Sequence, residues 1–165
     1  MKIGIISDTH DTRPAIHEAI RLFSSLEIDH LLHAGDITSP ESLHLFSALP
    51  CPVTAVLGNC DRDRSGLGEV ARRAGNISIP GRSADLTIDG TRIGMMHGDD
   101  PLSLIAAAEA GCFDIIITGH THRASIRRSG DTLLINPGEA SGERYGEATV
   151  ALLDTERNDV EIIIL

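Results

Sequence analysis

The chain has 165 residues, the usual size of one domain, and residues 1–165 are therefore expected to form a single domain. Its formal net charge is −10, from 24 acidic and 14 basic residues, which argues against extended nucleic acid as a partner. The three cysteines lack a C-x-x-C spacing, the amino terminus shows no signal-peptide pattern, and no apolar run is long enough to span a bilayer. These features predict a cytoplasmic protein with no membrane partner.

The first half of the chain alternates strand-like and helix-like segments. A strand is predicted over Lys2 to Ile6, and a helix follows from about Pro14 to Leu26, where apolar residues recur at the helical period. A second strand contains Leu31 and Leu32, Pro40 opens a second helix, and Val53 to Leu57 form a third strand. Repeated units of strand, loop and helix predict parallel strands joined by right-handed crossovers.

The second half is richer in strands. Asp89-Gly90 predicts a hairpin turn between two strands, and a third helix is expected from Pro101 to Ala110. Further strands are predicted at 115–118, 124–128, 132–136, 148–154 and 160–164, which gives nine or ten strands and three helices. This ratio favours an α/β fold with two mixed sheets packed face to face and helices outside. The Gly-rich segment from Pro137 to Gly146 is interpreted as a surface loop. The loops from Asp61 to Gly68 and from Pro137 to Tyr145 are expected to shape the cleft.

Polar side chains follow five of the predicted strands. The carboxyl ends of neighbouring strands form the ligand-binding edge of open α/β sheets, so these side chains are expected to share one cleft. The residues are Asp8, His10, Asp36, Asn59, His97, His120 and His122. Imidazole, carboxylate and amide ligands without thiolate suit Mn²⁺, Fe²⁺, Ni²⁺ or Zn²⁺. Asp36 is the expected bridge, because one carboxylate can bind two cations about 3.5 to 4 Å apart.

Other polar residues have simpler interpretations. Four further histidines are expected to be structural or surface residues, because a single histidine more often forms hydrogen bonds than binds a metal. They are His17, His30, His33 and His44. Arg13 and Arg123 each follow a proposed ligand motif and are candidates for binding the substrate phosphate, although both also fit solvated surface arginines.

Five motifs in order give the chain a resemblance to a known family. They are Asp8-Thr9-His10, Gly35-Asp36, Gly58-Asn59, His97-Gly98 and Gly119-His120-Thr121-His122. Together they resemble the calcineurin-like metallophosphoesterases, and among them the small prokaryotic single-domain phosphodiesterases. The resemblance implies a four-layer α-β-β-α sandwich. It also implies that one metal is held by Asp8, His10, Asp36 and His122, and the other by Asp36, Asn59, His97 and His120.

The chain departs from this family's pattern at two places. Many relatives follow the metal-binding Asn with a His that protonates the leaving group, whereas this chain has Cys60 and then Asp61. Asn59, Cys60 and Asp61 are the catalytic candidates, although a thiol with a pKa near 8.5 is a poor acid. A common His-Gly-His motif appears here as His97-Gly98-Asp99.

The resemblance implies hydrolysis of small phosphodiesters by a hydroxide lying between two divalent cations, with Mn²⁺ as the expected ion. Fe²⁺, Ni²⁺ and Zn²⁺ are the alternatives. A non-catalytic protein-binding scaffold of the same fold, a phosphomonoesterase and a nuclease remain alternative functions. A homodimer is expected on general grounds.

Overall fold

A computed structural model describes residues 1–157 and 159–165. The strands of this part of the chain are β1 (Lys2–Ile6), β2 (His30–His33), β3 (Val53–Val56), β4 (Ile77–Gly81), β5 (Ser83–Ile88), β6 (Thr91–Met96), β7 (Ile115–Ile117), β8 (Ser125–Ser129), β9 (Thr132–Asn136), β10 (Thr149–Asp154) and β11 (Asp159–Ile164). The helices are α1 (Arg13–Ser25), α2 (Pro40–Leu45), α3 (Arg64–Ala74) and α4 (Pro101–Glu109), and a 3₁₀ turn, Phe46–Ala48, follows α2.

The strands form two mixed sheets. The larger sheet has the order β11-β10-β1-β2-β3-β4, and the four strands from β1 to β4 are parallel. The alternating first half predicts the parallel arrangement of β1 to β3. The smaller sheet has the order β5-β6-β7-β9-β8, in which β6, β7 and β9 are parallel. The hairpin at Asp89-Gly90 joins β5 and β6, and both residues have positive φ, as a type I′ turn requires.

The two sheets pack face to face over an aliphatic core that includes Ile5, Leu32, Ile93, Ile117 and Ile135. The opposite face of the larger sheet packs against α1, α2 and α3, with a second core formed by aliphatic side chains and two phenylalanines. On the far side of the smaller sheet lies α4, which contains no buried residue. The layers therefore follow the α-β-β-α order that the resemblance implies.

One helix and one strand were not predicted. Asp63 caps α3 by accepting a hydrogen bond from the Gly66 amide, and Gly75 ends the helix with a φ of 79°. Two glycines inside this helix lower its intrinsic propensity, and Pro80 interrupts the strand pattern of β4. The prediction of a loop from Asp61 to Gly68 is therefore wrong from Arg64 onward. Packing against the larger sheet, with Leu67 and Ala71 buried, stabilises the helix despite its composition.

The segment after β9 also differs from the prediction. Residues 137–141 are buried, although the Gly-rich sequence was interpreted as a surface loop. The amide of Ala140 donates to the Ser7 carbonyl at 3.0 Å, and the amide of Ser141 donates to the Asp8 carbonyl at 3.2 Å. These hydrogen bonds attach the segment to the end of β1, and only its second half is exposed. No helix in the described part of the chain is long and apolar enough to cross a membrane.

Candidate metal centre

The seven predicted ligand residues lie at the carboxyl ends of strands from both sheets. In the larger sheet, Asp8 and His10 follow β1, Asp36 follows β2 and Asn59 follows β3. In the smaller sheet, His97 follows β6, and His120 and His122 follow β7. The cluster therefore lies at one end of the sandwich and draws on both sheets. Sequence reasoning placed the strand ends on neighbouring strands, and it did not predict their division between two sheets.

The backbone of this cluster has an unusual conformation. Five of the seven residues have left-handed φ angles, namely Asp8 (53°), His10 (41°), Asp36 (56°), His120 (65°) and His122 (60°). Such angles are uncommon outside glycine and cost of order 1–3 kcal/mol each. Hydrogen bonds between loops hold this conformation, because the amides of Asp8 and His10 donate to the carbonyls of Gly35 and Asp36 at 3.0 and 3.1 Å.

One half of the cluster is built around Asp8. Its Oδ1 lies 3.3 Å from Nε2 of His122 and 3.7 Å from Nε2 of His10. The rings of His10 and His122 are stacked, with centroids 5.2 Å apart. The other carboxylate oxygen, Oδ2, accepts a hydrogen bond from the His120 amide at 3.0 Å. Asp8 therefore joins the loop after β1 to the loop after β7.

The other half is built around His97. Its Nε2 lies 3.1 Å from Oδ1 of Asn59 and 3.3 Å from Oδ2 of Asp36, and its ring meets that of His120 edge-on with centroids 5.1 Å apart. Oδ2 of Asp36 is also 3.7 Å from Nε2 of His10. A single oxygen of Asp36 therefore faces both halves, which is the position expected of a bridging carboxylate.

The tautomers in this cluster fit a bound cation. Nδ1 of His97 lies 2.9 Å from the Ala34 carbonyl, which can only accept, so the proton is on Nδ1 and Nε2 carries a lone pair. That lone pair faces two oxygens, an arrangement that is repulsive unless a cation or a further proton lies between them. Oδ1 of Asp8 and Nε2 of His10 are buried and have no hydrogen-bond partner. Buried polar atoms without partners are rare, and here they point to a divalent cation.

Charge in the cluster shifts the pKa of its members. The Asp8 carboxylate is the main cause that raises the pKa of His10, and the nearby Asp36 charge adds to it. Burial opposes protonation of His97, but the negative charges of Asp36 and Asp8 outweigh it, and the pKa of His97 is raised. For Asp36, burial is outweighed by the nearby His97 and by the hydrogen bond from the Cys60 amide, and its pKa is lowered. The carboxylates therefore stay ionised and attract positive charge.

Asp61 and Cys60 have different surroundings, although both were predicted to be catalytic. Both oxygens of the buried Asp61 accept backbone hydrogen bonds, from Thr38 at 2.7 Å, Gly58 at 2.7 Å and Asp36 at 3.0 Å. These contacts favour a positioning role for Asp61, which joins the loops after β2 and β3. Cys60 lies at the cluster itself, with a ligand atom within 4.8 Å of those of His10 and Asp36. Burial, followed by the Asp36 carboxylate, raises the pKa of the Cys60 thiol to about 11.

Sequence reasoning missed Glu139. Its buried carboxylate lies 2.7 Å from Nδ1 of His122 through Oε2, and its Oε1 accepts the Tyr145 amide at 2.6 Å. A carboxylate at Nδ1 fixes the proton on that nitrogen and leaves Nε2 of His122 free to bind a metal. The signal was present in the sequence, because β9 also ends in a polar Gly-containing segment, Asn136-Pro137-Gly138-Glu139.

Among the residues that the structure describes, no hydrogen bond or ion pair joins the side chain of either candidate arginine to the cluster. Arg13 begins α1 with an exposed side chain, and the exposed Arg123 places its guanidinium 4.9 Å from the centroid of the Tyr145 ring. Asp99, at the altered His-Gly-His position, forms an ion pair with Arg82 at 2.5 Å. Of the four histidines interpreted as structural or surface residues, His17 is exposed, and His33 is buried and hydrogen-bonded to Thr9.

Comparison with known proteins agrees with this architecture. The family model described as the calcineurin-like phosphoesterase superfamily domain matches residues 1–158. A protein of Methanocaldococcus jannaschii named as a phosphodiesterase is 35% identical, and the match covers 100% of this chain and 99% of that protein. A solved structure of an archaeal phosphodiesterase superposes with a TM-score of 0.95 at 35% identity, covering 100% of both chains. Vacuolar protein sorting 29 from Cryptosporidium parvum has a TM-score of 0.70 at 21% identity, covering 99% of this chain and 96% of the other, and shares the fold. The chain therefore belongs to the calcineurin-like phosphoesterase superfamily.

Proposed function

We propose that this protein is a phosphodiesterase that hydrolyses small phosphodiesters with two divalent cations. The position of Asp36 carries the proposal, because its Oδ2 lies 3.7 Å from Nε2 of His10 and 3.3 Å from Nε2 of His97. One cation would be held by Asp8, His10, Asp36 and His122, and the other by Asp36, Asn59, His97 and His120. Similarity at 35% identity over the whole chain to a protein named as a phosphodiesterase, and to a solved archaeal phosphodiesterase structure, supports the reaction class.

The bound cations and the side chains of the cluster would have different roles in the reaction. Bound divalent cations would supply Lewis-acid stabilisation of the phosphate oxygens and lower the pKa of water toward about 7. The histidines orient Nε2 lone pairs toward one volume, since Ala34 and Glu139 hold the opposite ring nitrogens of His97 and His122. The left-handed backbone of the loops fixes these side chains before substrate binds, so little reorganisation is needed during reaction. Mn²⁺ is the proposed ion, and Fe²⁺, Ni²⁺ and Zn²⁺ fit the same mixed ligands.

The remaining catalytic candidates have weaker roles. Asn59 supplies an amide oxygen toward His97, and its Nδ2 donates to Sγ of Cys60 at 3.3 Å. The Cys60 thiol, with its pKa raised to about 11, is a weak proton donor for a leaving group. We therefore propose that turnover depends on the leaving group's own acidity. Arg123, which directly follows His122, is the better placed of the two arginines to meet a substrate phosphate.

The alternative functions predict different observations. A non-catalytic scaffold shares this fold, but all seven side chains of the cluster are present and oriented toward each other. A nuclease would bind a polyanion, which the net charge of −10 opposes. A phosphomonoesterase needs the same cations, so only the substrate preference distinguishes it from a phosphodiesterase.

The test is a hydrolysis panel of phosphate monoesters and diesters, with metal-free protein and with each of the four metals. We expect diesters to be preferred and the metal-free protein to be inactive. Asp36→Asn should lower kcat by more than about 100-fold, because replacing a residue that only hydrogen-bonds to a metal ligand already costs about 10–100-fold in metal affinity or activity. Asp131→Asn, an exposed aspartate, is the matched control. Wild-type activity in Asp36→Asn would exclude the proposed mechanism, and metal binding without hydrolysis of any ester would favour a scaffold.

A further inference from the structure

A groove of about 480 Å³ lies between α4 and the outer face of the smaller sheet. Ile135 of β9 lines the groove. Alternate residues of a strand point to the same face, and two such residues from β8 and two more from β9 also line it. They are Ser125, Arg127, Leu134 and Asn136, while Leu104 of α4 is on the opposite wall. In the register of these strands, Ser125 is opposite Asn136 and Arg127 is opposite Leu134. The groove therefore has an apolar middle flanked by polar groups.

One end of the groove adjoins the metal centre. Thr121, Arg123 and Tyr145 line that end, and Thr121 stands in the chain between His120 and His122. The Cα atoms of consecutive residues are about 3.8 Å apart, so this wall continues directly into the cluster. Tyr145 is also held beside the metal centre, because its amide donates to one carboxylate oxygen of Glu139. The other carboxylate oxygen of Glu139 contacts His122. A molecule attached to a phosphate at the metal centre can therefore extend into the groove.

The charges in the groove fit an anionic occupant. Arg127 follows Ser125 by two residues in β8, so the two residues are separated by about 7 Å along the strand. No ion pair of Arg127 or Arg123 occurs among the residues that the structure describes, although the chain as a whole carries a net charge of −10. An arginine without an acidic partner is well suited to bind a phosphate through paired N–H donors. The half-exposed Tyr145 ring offers a stacking surface at the metal end.

We propose that this groove binds the organic group of the phosphodiester substrate, and that this group carries a second phosphate bound by Arg127. The inference rests on the proposed phosphodiesterase function and specifies its substrate class. The reacting phosphate binds at the metal centre, the organic body packs against Tyr145, Leu104 and Leu134, and the second phosphate meets Arg127. The substrate is therefore a small diester with two separate phosphates, of the kind that a phosphorylated nucleotide ester represents.

The test compares two substrates that share one leaving group. These are the p-nitrophenyl ester of thymidine 5′-phosphate and the same ester with an added 3′-phosphate. In the metal-loaded wild type we expect kcat/KM to be roughly tenfold higher for the 3′-phosphorylated ester, the usual size of a charge-assisted hydrogen bond. Arg127→Gln should reduce this ratio to about one by raising KM, since no group at the reacting phosphate changes.

The matched control is Arg128→Gln. Arg128 is the next residue on β8, is exposed and does not line the groove, so the tenfold ratio should persist in this variant. Equal kcat/KM for the two esters in the wild type, or an unchanged ratio in Arg127→Gln, would overturn the inference while leaving the proposed function intact. If neither ester is hydrolysed, the proposed function fails. Titration with thymidine 3′,5′-bisphosphate and thymidine 5′-phosphate then tests the groove alone, and equal affinities would reject it.

Discussion

Nδ1 of His122 lies 2.7 Å from Oε2 of Glu139, a carboxylate that is 1% exposed. The same carboxylate accepts the amides of Arg144 and Tyr145, so two backbone amides of one loop fix its position around the histidine. A short hydrogen bond from imidazole to a buried carboxylate orients the ring and increases its basicity as a metal ligand. Glu139 is therefore a positioning residue that acts through His122.

Replacing Glu139 by Gln should weaken metal binding. The amide keeps the size of the side chain but removes the charge that makes His122 a stronger ligand, and a loss of 10–100-fold in metal affinity is typical of such changes. Calorimetric titration of metal-free protein with Mn²⁺ measures this loss without relying on turnover. Glu147→Gln, an exposed glutamate of the same loop, is the control. Unchanged affinity in Glu139→Gln would show that the contact serves only the fold.

Replacing Cys60 by His should change the dependence on the leaving group. The Cys60 thiol, whose pKa is raised to about 11, donates a proton poorly, whereas a histidine titrates near neutrality. Esters with alkyl leaving groups should therefore gain about tenfold or more in kcat, while p-nitrophenyl esters change little. Cys112→His, an exposed thiol before β7, is the matched control. The absence of any gain with alkyl esters would contradict this interpretation of Cys60.

The buried His33 predicts a pH dependence of stability. Nδ1 of His33 accepts the Gly35 amide and Nε2 contacts Thr9, while burial lowers the pKa of His33 to about 4. An unfolded histidine titrates near about 6.5, so the unfolded state binds more protons between these values. Neutral His33 therefore contributes to the free energy of unfolding at pH 7, by at most about 3 kcal/mol. This contribution is lost as the pH falls from about 6.5 to about 4.

The raised pKa values of His10 and His97 have the opposite effect, because their contribution to stability is present at low pH and is lost as pH rises. The measured quantity is therefore the difference in free energy of unfolding between the wild type and a variant. Urea unfolding of metal-free wild type and His33→Gln at pH 7, 6, 5 and 4 should show the advantage of the wild type shrinking on acidification. His17→Gln, at an exposed position of α1, should show a constant difference. A constant difference for His33→Gln would contradict the prediction.

Two glycines should respond oppositely to replacement by alanine. A Cβ at Gly58 would lie 2.1 Å from Oδ1 of Asp36 and 2.6 Å from its amide nitrogen, whereas at Gly68, inside α3, nothing lies within 4 Å. Gly58→Ala must displace the Asp36 carboxylate, and it should cost about 1–3 kcal/mol of stability and also lower the metal affinity. Gly68→Ala should stabilise the protein by about 0.5–1 kcal/mol. Urea unfolding and Mn²⁺ titration measure both changes, and wild-type metal binding in Gly58→Ala would contradict the proposed role of Asp36.

The sequence alone determined the general fold and the members of the cluster. Alternation of apolar runs with helical segments predicted the parallel strands from β1 to β3, and Asp89-Gly90 predicted the hairpin. The seven candidate ligands were identifiable because each follows a strand directly in the chain. These are local signals, since hydrophobic period and turn chemistry depend on neighbouring residues and do not require knowledge of distant contacts.

Tertiary structure alone decided how the cluster is completed. Asp61, Glu139 and the groove beside α4 acquire their roles from contacts between loops far apart in the chain, such as the 25-residue separation between Asp61 and Asp36. No local sequence pattern specifies that the buried carboxylate of Asp61 accepts backbone amides or that the buried carboxylate of Glu139 contacts a histidine. Packing also overrode weak propensity in α3 and buried residues 137–141 against the end of β1. The sequence therefore determined which residues meet at the strand ends, and the packing of the two sheets decided which other groups hold them in place.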